Sequence, residues 1–123
     1  MPGSVTIPLV TLPVGTRNFG PAALADFDSE AELAIDRTPA NGFNAQPATT
    51  TMKIAVEQSN DGGGSWFEKA SEMIVGGVYS GKGTDTNTST VWVDLAPGTG
   101  RQVRATLTVA GAPVAVRGSL TLT

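Results

Sequence analysis

The chain has 123 residues, 8 of them basic and 11 acidic for a formal net charge of −3, and it contains neither cysteine nor histidine. This length fits one domain, and the two missing side chains exclude disulfides, Ser-His-Asp and Cys-His triads and the usual zinc ligand sets. We expect no nucleic-acid partner, because the Lys and Arg residues are scattered along the chain and do not form a cluster that could bind a phosphate backbone. We also expect no membrane span and no cleaved leader, since no apolar run approaches the roughly 18 to 20 residues of a span.

The N-terminal segment, residues 1–15, is predicted to be an extended arm or an edge strand. Two of its prolines, Pro8 and Pro13, lie within the extended part, and each removes a backbone donor and so excludes a central strand. The segment either joins the edge of the domain's own sheet or lies as an arm on a neighbouring molecule. The alternation predicts one apolar face of Val5, Ile7 and Leu9 and a second of Val10, Leu12 and Val14.

Residues 16–123 are predicted to form one domain that begins with a turn over residues 16–21. A strand follows over residues 30–36, where Ala31, Leu33 and Ile35 alternate with polar or small residues. A helix over residues 22–35 is the alternative, because Ala, Leu and Glu favour helices. We prefer the strand, since the prolines and aspartates before residue 30 interrupt the helical period.

A polar, glycine-rich octet over residues 59–66 separates two segments that alternate apolar and polar side chains. Met52, Ile54 and Val56 share one face before it, and a period of two continues after it. The octet therefore predicts the tip of a β-hairpin, in which glycines adopt positive φ and Asp61 accepts backbone hydrogen bonds.

The octet resembles the Asp-box hairpin known from sialidases and from many secreted and phage proteins. In that family the Asp orders the turn and the Trp packs beneath it, so the resemblance implies a structural role and no catalytic residue. One copy is present, whereas a sialidase propeller repeats the motif in several blades. Ser65 stands where the family usually has Thr and keeps the hydroxyl. The matching residues are Ser59, Asp61, Gly63, Ser65 and Trp66.

Two long polar loops are predicted over residues 37–49 and 80–90, and loops of this length often contact a partner. Phe43 lies in the first loop as an anchor or an outward contact. Between the loops, Gly76-Gly77 suggests a bulge or a bend. Alternation predicts strands over residues 91–95, 102–109 and 114–122, the last two as a hairpin with Arg104 and Arg117 on a shared solvent face.

About eight short strands with frequent turns predict an all-β fold, an antiparallel two-sheet β-sandwich. The pattern leaves open whether its topology is jelly-roll or immunoglobulin-like. An immunoglobulin disulfide is excluded by the absence of cysteine.

Catalysis would have to come from a carboxylate pair, as in glycosidases, and no two acids are brought together by the sequence. Residues 26–30 offer oxygen ligands but lack the twelve-residue loop of an EF-hand, so we expect a turn there. We expect no metal and no cofactor. Trp92 lies on the face opposite Val91 and Val93, and an exposed Trp there suggests a sugar platform or a protein contact.

Several segments resemble a group of small tailed-phage virion proteins. They are residues 15–21, 35–37, 59–66, Gly76-Gly77 and residues 101–114. The resemblance implies a non-enzymatic component of the particle, preferably a capsid decoration or cement protein on the outer surface of the head, made in the bacterial cytoplasm. A tail or neck protein is the first alternative, a carbohydrate-binding module using Trp92 the second, and an enzyme the third.

The implied partners are the major capsid protein and copies of this chain, in a homotrimer or another symmetric cluster. We expect the N-terminal arm and the two long loops to make the contacts, and the sandwich to fold without the residues before Thr16. The candidate contact side chains are Val5, Ile7, Leu9, Phe43 and Trp92.

Overall fold

The computed structural model describes residues 4–24, 28–36, 49–76, 88–95 and 100–123, and within these ranges it contains strands and no helix. None of the described residues therefore belongs to a helix that could cross a membrane. The strands are β1 (Ser4–Leu12), β2 (Gly15–Ala23), β3 (Glu30–Asp36), β4 (Thr51–Ser59), β5 (Phe67–Val75), β6 (Thr88–Asp94), β7 (Gln102–Ala110) and β8 (Val114–Leu122).

The eight strands form two four-stranded sheets in which all neighbours are antiparallel. The order is β1-β8-β3-β6 in the first sheet and β2-β7-β4-β5 in the second. Among consecutive strands, β4 and β5 alone are neighbours within a sheet, and every other consecutive pair has one strand in each sheet. This order is a jelly roll. The predicted two-sheet sandwich is confirmed, and the structure selects the jelly roll from the two topologies that were open.

The core lies between the sheets and is filled by every second side chain of the central strands. On β7, the alternation from Val103 to Val109 is complete, with each inward residue at most 2% exposed. Full burial of one such aliphatic side chain stabilises the fold by roughly 1.5–3 kcal/mol. The largest fully buried apolar side chains are Ile7, Leu12, Leu33, Ile35, Met52, Ile54, Leu107, Leu120 and Leu122.

β1 is an edge strand of the first sheet, and a bulge divides it at Pro8 and Leu9. Ile7 lies opposite Gly118 and Val10 opposite Val116, so β1 has one more residue than β8 across this interval. The additional residue reverses the alternation, which leaves Leu9 65% exposed and turns Val10 and Leu12 inward. The predicted shared face of Val5, Ile7 and Leu9 is therefore wrong at Leu9. A proline, which cannot donate to the ladder, fits at such a bulge.

β2 forms the corresponding edge of the second sheet and also contains a bulge. Phe19 lies opposite Ala105 and Ala22 opposite Val103, so Gly20 and Pro21 span the irregularity. The prediction of a turn over residues 16–21 is wrong, because these turn-forming residues make a bulge in a continuous strand. A bulge at each of these two edges interrupts the row of free backbone groups that would otherwise pair with another chain.

The last two strands do not form the predicted hairpin. β7 pairs with β2 and β4, whereas β8 pairs with β1 and β3 in the other sheet. Arg104 and Arg117 therefore lie on opposite outer faces of the sandwich, and each has its own carboxylate partner, Glu57 and Asp36 respectively. The alternation on both strands is as predicted, but alternation does not say which strand is the neighbour.

The prediction of a loop over residues 80–90 is wrong for residues 88–90, which begin β6. Residues 80–87 and residues 37–48, which include Phe43, lie outside the described residues.

Candidate functional site

The connection between β4 and β5 is a polar hairpin organised by Asp61. The Ser59 hydroxyl donates to Asp61 Oδ1 at 2.7 Å, and the backbone N–H of Ser65 donates to the same oxygen at 2.8 Å. These bonds favour the ionised carboxylate, and they lower the pKa of Asp61, with the Ser59 bond as the largest cause. Gly62 and Gly63 have φ values of 72° and 99°, which only glycine adopts readily.

Trp66 attaches this hairpin to the outer face of the second sheet. Its indole Nε1–H donates to the carbonyl oxygen of Gly63 at 3.2 Å. The Arg104 guanidinium lies 4.2 Å from the ring centroid, which is cation–π geometry, and Arg104 Nε donates to Glu57 Oε1 at 2.8 Å. The arrangement is structural, because Ser59, Asp61 and Trp66 hold the turn and the contact of Trp66 with Arg104 docks it on β7.

The remaining outer face of the second sheet carries a network of polar side chains beside the exposed Met73. The Thr106 hydroxyl lies 2.8 Å from Glu57 Oε1 and 3.0 Å from Asn18 Oδ1, which links three strands. On β4 and β5, Lys53 Nζ lies 2.7 Å from Glu68 Oε1, and this contact is the main cause of the lowered pKa of Glu68. Both side chains of that ion pair are about two-fifths exposed, so the pair contributes little stability.

The described carboxylates do not assemble into a metal site. Among these residues, no three acidic side chains are close enough together to hold a metal ion. Asp28, which belongs to the segment with possible calcium ligands, is buried, and its backbone carbonyl accepts a bond from Arg101 Nη1 at 3.1 Å. Asp26 and Asp85 lie outside the described residues.

The outer face of the first sheet carries an exposed tryptophan bound to a carboxylate. Trp92 on β6 is 56% exposed, and its indole Nε1–H donates to Glu32 Oε2 at 2.8 Å. Glu32 lies opposite Trp92 on one side and opposite Thr121 of β8 on the other. We call Trp92, Glu32 and Thr121 the Trp92 row. With Glu30 and Thr123 the row borders a depression of about 140 Å³.

A second depression, of about 540 Å³, lies further along the same face towards β1. Leu9 stands at its rim, and its wall includes Asp36 and Arg117, whose Oδ2 and Nε atoms are 2.9 Å apart. Its floor includes Ala34 and Gly118. We call this the Leu9 depression, and its other lining residues are Thr6, Ile7, Pro8, Thr88 and Ser119.

The predicted contact side chains are distributed unequally. Leu9 and Trp92 lie on the outer face of the first sheet and are the two that are freely exposed. Val5 is partly buried against the core. Ile7 is 1% exposed, so its assignment as a partner contact is wrong for the folded chain: it belongs to the core because β1 is part of the first sheet. Phe43 lies outside the described residues.

Sequence reasoning missed the polar partners on this face. The sequence assigns no partner to Glu32 or Asp36, yet they accept hydrogen bonds from Trp92 and Arg117. Glu32 and Asp36 are four residues apart on β3, so the alternation of side chains along a strand already predicts that both lie on one face. The identity of their partners depends on β6 and β8 flanking β3, and no local pattern carries that information.

The fold and these surfaces define an eight-stranded jelly-roll sandwich, and the outer face of its first sheet presents an exposed tryptophan. No protein-family model and no curated protein sequence matches the chain. Among solved structures, the chain is similar in fold to the carbohydrate-binding module TmCBM61, whose structure was determined in complex with β-1,4-galactotriose. The TM-score is 0.45 with 15% identity, over 94% of this chain and 69% of that chain.

Proposed function

We propose that this chain is a non-enzymatic structural protein of a tailed-phage particle, specifically a decoration or cement protein on the outer surface of the assembled head. The sequence resemblance supports this assignment, and its segments coincide with fold elements. Residues 15–21 lie in β2 with its bulge, residues 59–66 form the hairpin, and residues 101–114 include β7 and its crossing to β8. The matched motifs maintain the fold and supply no catalytic group, which suits a structural protein that acts by binding to a surface.

The observation that carries the proposal is the outward position of Leu9. Without the bulge, the alternation would place Leu9 inward together with Val5 and Ile7. The bulge instead presents a large aliphatic side chain, 65% exposed, at the rim of the Leu9 depression. Bulges commonly re-aim a side chain at functional positions, and a partner that covers Leu9 would recover its burial free energy.

Such a protein acts by mass action. Copies that bind the assembled shell, and not the free capsid subunits, shift the equilibrium towards the intact head. The partner is the major capsid protein, and neighbouring copies of this chain form a homotrimer or another symmetric cluster around a capsid symmetry axis.

The first test is the number of copies of this chain in purified particles, measured by quantitative mass spectrometry against the major capsid protein. A fixed ratio corresponding to hundreds of copies supports decoration. A few copies per particle would overturn head decoration in favour of a tail or neck position. Complete absence from the particle would refute a virion role.

The second test examines the Leu9 depression directly. Leu9→Ser should leave the isolated protein folded and weaken its binding to undecorated heads by roughly 10- to 100-fold, since a buried Leu contributes roughly 1.5–3 kcal/mol. Val14→Ser is the matched control, because Val14 is 56% exposed and does not line the depression. Equal binding by both variants would remove Leu9 from the interface.

A further inference from the structure

The Trp92 row combines an exposed aromatic ring with hydrogen-bonding groups at fixed positions. Because the indole N–H is already bonded to Glu32, that edge of the ring is anchored to its cross-strand neighbour. The second Glu32 oxygen, Oε1, and the hydroxyl of Thr121 lie on the same outer face. An anchored ring loses little conformational freedom when a ligand stacks on it, which favours binding.

The charge around the ring restricts the ligand. Glu30 and Glu32 border the 140 Å³ depression with Trp92, and Asp94 lies opposite Glu30 across the β3–β6 pair. These acids repel an anionic ligand and accept hydrogen bonds from hydroxyl groups. The hydroxyls of Thr121 and Thr123 supply groups that both donate and accept.

We propose that the Trp92 row is a binding site for a neutral oligosaccharide. A pyranose ring has an apolar C–H face that packs on an indole and a rim of hydroxyls that matches carboxylate and threonine oxygens, so its chemistry corresponds to the row group by group. Uronic acids and sialylated sugars are excluded by the acids. The inference is independent of the proposed place in the particle.

The size of the depression sets the mode of binding. At about 140 Å³ it is well below the roughly 300–1,000 Å³ of pockets that enclose drug-sized ligands. It therefore accepts one sugar ring on Trp92, while the adjoining residues of the oligosaccharide remain on the open face. This geometry predicts weak, shallow binding with a Kd of about 1 mM to 10 µM.

The test uses the isolated full chain and NMR of its indole N–H groups. The chain has two tryptophans, so Trp66, in the hairpin on the opposite sheet, is an internal control for Trp92. Neutral gluco-, manno- and galacto-oligosaccharides are titrated in turn, with an oligogalacturonate as the anionic counterpart. We expect at least one neutral oligosaccharide to shift the Trp92 signal in a saturable way. The Trp66 signal should stay unchanged in every titration, and the oligogalacturonate should shift neither signal.

Variants separate stacking from general surface effects. Because Trp92→Ala lacks the reporter indole, the affinities of the variants are measured from the backbone amide signal of Thr121, which lies opposite Glu32. Trp92→Ala should weaken binding of the neutral oligosaccharide at least about tenfold, and Glu32→Gln should weaken it less, because an amide still accepts one hydrogen bond. Phe67→Ala is the matched control, an exposed aromatic of the second sheet that should leave the affinity unchanged. Unfolding curves verify that each variant is folded. The proposal is overturned if no neutral oligosaccharide binds, if the oligogalacturonate binds equally well, or if Trp92→Ala binds like the parent chain.

Discussion

The two tryptophans show how the same side chain serves different purposes in one small sandwich. Both satisfy the indole N–H, Trp66 with the carbonyl of Gly63 and Trp92 with the carboxylate of Glu32. Trp66 is partly buried and one face of its ring contacts the Arg104 guanidinium, whereas Trp92 is 56% exposed beside a depression. A ring that packs on its own chain stabilises the fold, and an exposed ring with an anchored edge is available to a ligand.

Asp61→Asn should destabilise the chain at neutral pH and by a smaller amount in acid. The folded pKa of Asp61 lies below its ordinary value of 3.8, so the stabilisation that it contributes is fully present above pH 3.8 and is lost as the pH falls through the folded pKa. Asn does not titrate. The difference in free energy of unfolding between the two chains, measured by urea unfolding at a series of pH values, should therefore shrink below pH 3.8.

The exposed Glu72 of β5 provides the control for this experiment. Glu72→Gln lacks the contacts of the hairpin and should not reproduce the effect. A difference between Asp61→Asn and the parent chain that stays constant down to the acid limit would show that the carboxylate charge does not stabilise the turn.

Strand β8 lies between β1 and β3, and at Gly118 its backbone leaves no room for a side chain beside β3. This glycine is opposite Ile35 on β3 and opposite Ile7 on β1. A Cβ atom there would overlap the carbonyl oxygen of Ala34 and lie 2.9 Å from Ile35 Cδ1. The requirement for glycine therefore comes from the spacing of the two strands, and the same residue forms part of the floor of the Leu9 depression.

Gly118→Ala should destabilise the sandwich by about 1–3 kcal/mol, the usual cost of overpacking. The backbone of β3 cannot yield as a flexible side chain would, so the two strands must separate. The free energy of unfolding from denaturant titration measures the effect, and Ser119→Ala, a partly buried neighbour on the same strand, is the control. Equal stability of the two variants would mean that β8 has room to move away from β3.

At the scale of the whole molecule, the N-terminal strand is inseparable from the core. β1 contributes Ile7 and Leu12, both 1% exposed, and it covers the edge of β8. The expectation that the sandwich folds without the residues before Thr16 does not agree with this packing. Removing two fully buried aliphatic side chains alone costs roughly 3–6 kcal/mol, which is comparable to the roughly 5–15 kcal/mol of total stability of a typical domain.

A chain that begins at Thr16 should therefore lose cooperative thermal unfolding, as followed by circular dichroism. A shorter deletion that ends before Ser4 keeps all of β1 and should retain the transition of the full chain. If the chain from Thr16 unfolded cooperatively near the parent temperature, β1 would be dispensable, and an arm that binds a neighbour would again be a valid interpretation.

Much of the fold is predictable from the sequence because its signals are local. The period of two along β3, β4, β7 and β8 marks the inward side chains, and the octet at residues 59–66 marks the hairpin, since a turn depends on a few adjacent residues. The errors are also local in origin. Gly20 and Pro21 indicate a turn, but in β2 they form a bulge, and the bulge beside Pro8 reverses the alternation of β1.

The sequence by itself determined that this chain is an all-β sandwich with a polar hairpin and without histidine or cysteine chemistry, because composition and short-range periodicity suffice for those conclusions. The tertiary structure alone decided which strands are neighbours. It placed Arg104 and Arg117 on opposite faces and brought Trp92 to Glu32 across 60 residues of chain. Such contacts depend on how each strand buries its apolar face against the other sheet. The pairing of the strands is therefore determined by the packing of the whole core and not by any single segment.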